Sequence, residues 1–177
     1  AYVDVQEIAR EVIRDIGYTK ASYRFDADSC GVMTTIHTQS PDIAQGVDVD
    51  GAGDQGMMFG YAVRETDALM PLSIQLSHDL VRELAAIRKE GQLMPYLAPD
   101  SKSQVTVEYD AYGAIKRIHT IVLSTQHDEG VTQAQIRSDI EQHLLPRVVP
   151  GGMMDADTIL HVNPTGKFVI GGPHGDT

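Results

Sequence analysis

The run Ser103-Gln104-Val105-Thr106-Val107-Glu108-Tyr109-Asp110-Ala111-Tyr112-Gly113-Ala114-Ile115-Lys116-Arg117-Ile118-His119-Thr120-Ile121-Val122-Leu123-Ser124 decides the fold. Val105, Val107 and Tyr109 alternate with polar residues, the period of a half-buried strand. A turn around Asp110-Ala-Tyr-Gly113 then leads into a second apolar strand over roughly 115–124. Together they predict a β-hairpin.

Upstream, Pro71 opens a helix with Leu76, Leu80, Leu84 and Ile87 on one face and Gly91 as its stop. Downstream, Thr132 caps a third helix that turns Ile136, Ile140 and Leu144 inward, and Pro146 is expected to close it. Short strands are expected at 158–162 and 167–170, around the turn Asn163-Pro-Thr-Gly166. Nearer the start, Val5, Ile8, Ala9, Val12, Ile13 and Ile16 form a helical stripe ended by Gly17. Residues 31–37 and 57–63 read as further strands. Strand pairs and helices alternate without a βαβ rhythm, so the class is α+β, with mixed or antiparallel sheets and helices on one face.

Composition limits the function. The 177 residues hold 25 acids against 14 bases, a net charge of -11, with an isoelectric point near 4.9. Phosphate backbones and anionic membrane surfaces both require clustered Lys and Arg, so neither is an expected partner. The single cysteine, Cys30, excludes an intrachain disulfide framework or multi-thiolate metal site, and reads as a small buried apolar residue. No apolar run approaches the roughly 20 residues that span a bilayer. With no secretory pattern at Ala1 either, the expected compartment is the cytoplasm.

Several segments carry chemistry-bearing residues. Residues 39–56 contain glycines at 46, 51, 53 and 56 and no period, which reads as a candidate active-site loop. Gly51-Ala-Gly53-Asp-Gln-Gly56 is a literal G-x-G-x-x-G. A dinucleotide site needs a strand before it and a helix after it; here a polar loop precedes and a strand-like run follows. What remains is bare backbone with the Asp54 carboxylate, against the plainer reading of a tight turn with a solvated Asp54.

Asp100-Ser101-Lys102 enters the first hairpin strand, where residues two apart share a face. Either Lys102 reaches a phosphate while Asp100 holds a hydroxyl or cation, or the two form a surface ion pair worth under about 1 kcal/mol. Phe168, beside the glycines at 171 and 172, is either a base-stacking aromatic with Lys167 on a phosphate or simply a core residue. Asp176 is another glycine-flanked carboxylate. The seven histidines show no metal-ligand spacing; His127 follows a strand and is a site or structural residue.

Taken in order, these strings resemble the S-adenosylmethionine synthetase (methionine adenosyltransferase) family. The matching runs are Gln39-Ser-Pro-Asp-Ile-Ala-Gln-Gly-Val-Asp48, Gly51-Ala-Gly-Asp-Gln-Gly-Met-Met-Phe-Gly-Tyr-Ala62, Pro99-Asp-Ser-Lys-Ser-Gln-Val-Thr106, Leu123-Ser-Thr-Gln-His127 and Asn163-Pro-Thr-Gly-Lys-Phe-Val-Ile-Gly-Gly-Pro-His-Gly-Asp176. The resemblance covers the whole chain. It implies attack of the L-methionine sulfur on C5′ of ATP, then cleavage of the released triphosphate to pyrophosphate and phosphate, with Mg²⁺ (two per site) and K⁺. It further implies homodimers or homotetramers with active sites between subunits.

Carried over by position, the resemblance implies ATP contacts from Asp100, Ser101, Lys102, Lys167, Phe168 and Asp176. It implies methionine contacts from Gln39, Asp54 and Asp176, and catalytic roles for Lys102 and Asp54. A mobile loop over Ser40, Pro41, Asp42, Ile43, Ala44, Gln45, Gly46, Val47, Asp48, Val49 and Asp50 closes on the substrates. Lys167 stands where many members have Arg, which would lose a bidentate contact. The implied fold has three similar domains woven from discontinuous segments. Residues 65–171 are expected to be nearly one entire domain, 1–29 and 30–64 pieces of the other two, and 172–177 the start of a cut glycine-rich loop.

The family's H-P-D-K string, with its catalytic His and Mg²⁺-binding Asp, does not occur in these 177 residues. The resemblance assigns no metal ligand to this chain, which is expected to be the middle of a longer protein and inactive alone. The alternatives are a non-catalytic regulatory subunit of the same family, and an unrelated nucleotide-binding module built on residues 51–56. Apolar faces meant for absent partners predict self-association; a monodisperse monomer in sedimentation, with no dye-binding surface, would contradict this.

Overall fold

The computed structural model describes residues 3–176; the expectations for Ala1 and Thr177 lie outside the described residues. In chain order the elements are α1 (Val5–Ile16), a 3₁₀ turn (Ala21–Tyr23), α2 (Pro41–Val47), α3 (Leu72–Glu90), β1 (Leu97–Tyr109) and β2 (Ile115–His127). There follow α4 (Gln133–Asp139), a π turn (Ile140–Leu144), α5 (Leu145–Val148), β3 (Ile159–Val162) and α6 (Gly172–Gly175). The sheet has the order β1-β2-β3, with β2 antiparallel to β1 and parallel to β3. It is the mixed sheet of an α+β fold.

The pairing explains how β2 builds a core. Val105 lies opposite Ile121, and Val107 opposite Ile118, with the register slipping between Thr106 and Val107. Ile118 and Ile121 are three apart, so a regular strand would send them to opposite faces. The extra residue, His119, is a bulge that turns both inward, and both are fully buried. Leu160 of β3, opposite Ile121, continues the same layer.

Helices cover this face. α3 brings Leu72, Leu76, Leu80, Leu84 and Ile87, and α4 with the π turn brings Ile136, Ile140 and Leu144, all in one cluster with the strand residues. Pro146 does not close the third helix. It sits in the first turn of α5, which runs to Val148, and the wide turn falls just before it. Proline has no N–H for the carbonyl four residues earlier, and a π turn absorbs that lost bond without ending the helix.

Residues 31–37, 57–63 and 167–170 are not strands here. Met33 is 96% exposed and Phe59 91% exposed, so neither run has found a sheet to join. The segment 39–56 is not wholly irregular either. Pro41 at the first helical turn and Asp42 beside it start the short helix α2, as proline and an acid do at a helix N-terminus. α1 forms where expected, with the Asp4 side chain accepting from the Glu7 N–H, yet Val5, Ile8, Val12 and Ile16 all remain exposed.

Leu80 is completely buried, whereas Val12 is 53% exposed. Leu80→Ala is expected to cost about 2–5 kcal/mol and Val12→Ala less than about 0.5 kcal/mol, read from urea midpoints. Equal effects would contradict the placement of the core on α3.

Candidate functional site

β2 ends in three consecutive buried polar residues, Thr125, Gln126 and His127, and each is anchored to a different part of the 163–172 segment. Thr125 N–H donates to Asn163 Oδ1 at 2.8 Å, and Asn163 Nδ2 returns a bond to the Thr125 carbonyl at 3.2 Å. Gln126 Nε2 donates to the Val169 carbonyl at 3.0 Å. His127 N–H donates to the Phe168 carbonyl at 2.9 Å, while Phe168 N–H donates to His127 Nε2 at 3.1 Å. Buried polar groups need partners, and these three fasten the loop to the sheet.

Asp100 ties the same segment from β1. Its Oδ2 accepts from the Gly172 N–H at 2.9 Å, and its own N–H points at Gln126 Oε1, 3.4 Å away. Asp100 therefore makes no ion pair with Lys102; among the described residues its carboxylate is committed to backbone. Lys102 Nζ instead lies 5.9 Å from the centroid of the Phe168 ring, within the range of a cation–π contact. Phe168 is half-buried and stands outside the core cluster. Ser101 is half-buried beside them, and with Lys102, Ser77 and His78 it lines an open groove of about 480 Å³.

The glycines make this approach possible. A methyl at Gly171 would stand 2.6 Å from Phe168 Cε2 and 2.9 Å from Asp100 Oδ2, so only bare backbone fits. Gly172 has φ 62°, and a methyl there would meet the Tyr18 ring and hydroxyl. Tyr18 is buried. Burial first, then the negative charges of Asp100 and Asp176, push its hydroxyl above the usual tyrosine range, with Arg88 opposing. Residues 172–175 form one helical turn rather than an open loop, and Asp176 N–H closes it on the Gly172 carbonyl at 3.1 Å.

The remaining candidates are engaged elsewhere. Lys167 is exposed and pairs with Glu129 at 2.9 Å. Gln39, residues 40–50 and Asp54 lie on a largely exposed stretch whose backbone bonds stay local, Gly51 N–H to the Gly46 carbonyl at 2.9 Å and Gln55 N–H to Asp54 Oδ1 at 2.7 Å. Cys30 is half-buried, with Sγ 3.7 Å from Arg10 Nη1, rather than a core residue. Tyr18 lies in no motif of the sequence, and Gln126 stands inside the run Leu123-Ser-Thr-Gln-His127 with no role assigned to it. The polar run ending an otherwise apolar strand is the signal that would have found Gln126.

No three His, Cys, Asp or Glu side chains converge on a metal-sized point among the described residues, and the Asp100 carboxylate is already engaged. The described residues do not by themselves fit Mg²⁺ or K⁺. The assembled features are an aromatic face, an ammonium, a fixed carboxylate and exposed glycine backbone. That set suits a planar ring carrying an anionic tail.

Comparison with known proteins gives the family. Residues 49–168 match the central domain of S-adenosylmethionine synthetase, and residues 1–41 match its N-terminal domain. The chain belongs to the S-adenosylmethionine synthetase family. It is 64% identical over 181 residues to the S-adenosylmethionine synthase of Salinibacter ruber, covering 100% of this chain and 47% of that protein. To the synthase of Chlorobium phaeobacteroides it is 55% identical over 192 residues, covering 99% and 47%. To that of Cytophaga hutchinsonii it is 56% identical over 193 residues, covering 100% and 46%. The chain thus spans about half the length of the curated relatives it matches.

Gly172 and Gly91 have similar backbones, φ 62° and 68°, but a methyl at Gly91 meets nothing within 4 Å. Both alanine variants incur the left-handed cost of about 1–2 kcal/mol. Gly172→Ala is expected to lose clearly more in thermal and urea unfolding, because only there does Tyr18 stand in the way. Equal losses would contradict the tight packing of Tyr18 on this turn.

Proposed function

We propose that this chain supplies the nucleotide-binding part of a methionine adenosyltransferase, which joins ATP and L-methionine into S-adenosylmethionine. The observation that carries the reading is the convergence of Asp100, Lys102 and Phe168 on the glycine turn at 171–172. In the reaction the neutral methionine sulfur forms a bond to C5′ as the C5′–O bond to triphosphate breaks. Water then splits the triphosphate into pyrophosphate and phosphate. A thioether is a weak nucleophile, so rate must come from alignment and from stabilising negative charge on the leaving group.

In this reading the Phe168 ring receives adenine, exchanging its Lys102 contact for a base. The freed Lys102 ammonium, with Ser101 beside it, turns to phosphate oxygens. Asp100 keeps the 171–172 backbone in place, and Asp176 and Lys167 contribute at the edge of the same site. Gln39, Asp54 and the mobile loop 40–50 supply methionine contacts from a neighbouring surface once the site is assembled between two subunits, as a homodimer or homotetramer. Residues 65–171 form nearly one domain, with 1–29 and 30–64 belonging to two others. Mg²⁺ and K⁺ would supply charge neutralisation at the phosphates, and no described residue is assigned to hold either ion. No described helix is long and apolar enough to cross a membrane, and the proposed setting is the cytoplasm.

Calorimetric titration with ATP tests this. Lys102→Ala is expected to weaken binding roughly 10- to 100-fold, the size of a lost charge-assisted bond, with the fold retained by circular dichroism. Unchanged affinity would overturn the reading. The 177 residues alone are expected to show no methionine-dependent phosphate release, and its appearance would contradict the placement of essential groups outside them.

A further inference from the structure

We infer that His127 is a positioning residue for Phe168, holding the aromatic face through the Nδ1-protonated neutral imidazole. The ring is 1% exposed and its surroundings dictate the tautomer. Nδ1 lies 2.9 Å from the Asp128 carbonyl, an acceptor, so Nδ1 carries the proton and donates. Nε2 faces two donors, the Phe168 N–H at 3.1 Å and the Gln133 amide nitrogen at 3.4 Å, the latter fixed by its bond to the Gly166 carbonyl at 3.1 Å. A proton on Nε2 would point at the Phe168 N–H, so Nε2 is the acceptor.

One residue thereby holds both backbone polar groups of Phe168, because His127 N–H also donates to its carbonyl. With the peptide fixed on both sides, the ring is confined between the Lys102 ammonium and the bare backbone of Gly171. Its reach to a base is preset before any ligand arrives, which lowers the ordering cost of binding. Gln126 bonds the Val169 carbonyl and Asn163 bonds the Thr125 backbone, so these bonds fix the flanks and not residue 168 itself. The inference deepens the proposed ATP site and rests on it for its functional half; the tautomer and the pinning stand on geometry alone.

The test pairs NMR with binding. In the unliganded protein, ¹⁵N spectra of the histidine rings are expected to show His127 as the Nδ1–H tautomer, with a through-hydrogen-bond coupling from Nε2 to the Phe168 amide. An Nε2–H tautomer, or a Phe168 amide that exchanges with water as freely as a loop residue, overturns the inference. With fluorinated phenylalanine there are three resonances, one per Phe in the sequence. His127→Leu is expected to move or broaden that of Phe168 and weaken ATP affinity about tenfold, the loss expected for an orphaned buried N–H. His127→Gln, whose Oε1 can accept the same bond, restores most of both.

A folded His127→Leu protein that binds ATP as tightly as the parent overturns the positioning role. So does a His127→Gln protein as impaired as His127→Leu. Should His127→Leu fail to fold, the parent spectra and the glutamine variant still decide. If the parent itself binds no ATP, the nucleotide reading fails, while the tautomer and the fluorine shifts still settle the pinning of Phe168.

Discussion

β2 is hydrogen-bonded on both sides, antiparallel to β1 and parallel to β3, and that double pairing is the constraint on which the rest depends. Its first nine residues send Ile118, Ile121 and Leu123 into the core beneath the helices, and its last three residues are buried and polar. Burying apolar surface drives collapse, but it does not place loops. The polar end does that, because each buried amide, carboxamide and imidazole must find a partner. The partners it finds are the Asn163 side chain and the backbone of Phe168 and Val169. One strand thus sets the core at one end and fixes the candidate site at the other.

The site is consequently more rigid than a loop of Gly171 and Gly172 suggests. Asp100 reaches across from β1 to the Gly172 amide, a contact between residues 72 apart, and Tyr18 closes the turn from a third direction. Glycine is required there because side chains have already filled the space a Cβ would use. What stays adjustable is Lys102, exposed and, among the described residues, held by its contact with the Phe168 ring. A fixed aromatic beside a movable ammonium is a sensible division for a ligand with a flat ring and a flexible anionic chain.

Much of the framework was legible in the sequence. The α3 stripe with Gly91, the 103–124 hairpin and the Gly17 end of α1 are local patterns, readable from period and caps. The runs at 31–37 and 57–63 have strand composition too, but a strand is stable only with a neighbour to bond. Among the described residues the sheet ends at three strands, and these runs lie exposed. The helix at 41–47 opens on Pro41 and Asp42, ordinary helix openers set among glycine-rich surroundings. Pro146 would break a regular helix, but not one that has widened a turn earlier.

For the candidate site, the Asp100-Ser101-Lys102 and Phe168 strings were visible, whereas their interlock was not. Sequence spacing could not say whether Asp100 would meet Lys102 or a backbone amide 72 residues away, nor that the His127 ring would take the Phe168 N–H. Such contacts depend on tertiary register, set here by the pairing of β2. The most direct measurement is a ¹H–¹⁵N NMR titration of the protein with ATP. The account predicts the largest shifts at residues 100–102, 126–127 and 166–172. Shifts confined to the glycine run at 51–56, with those three stretches unmoved, would contradict it.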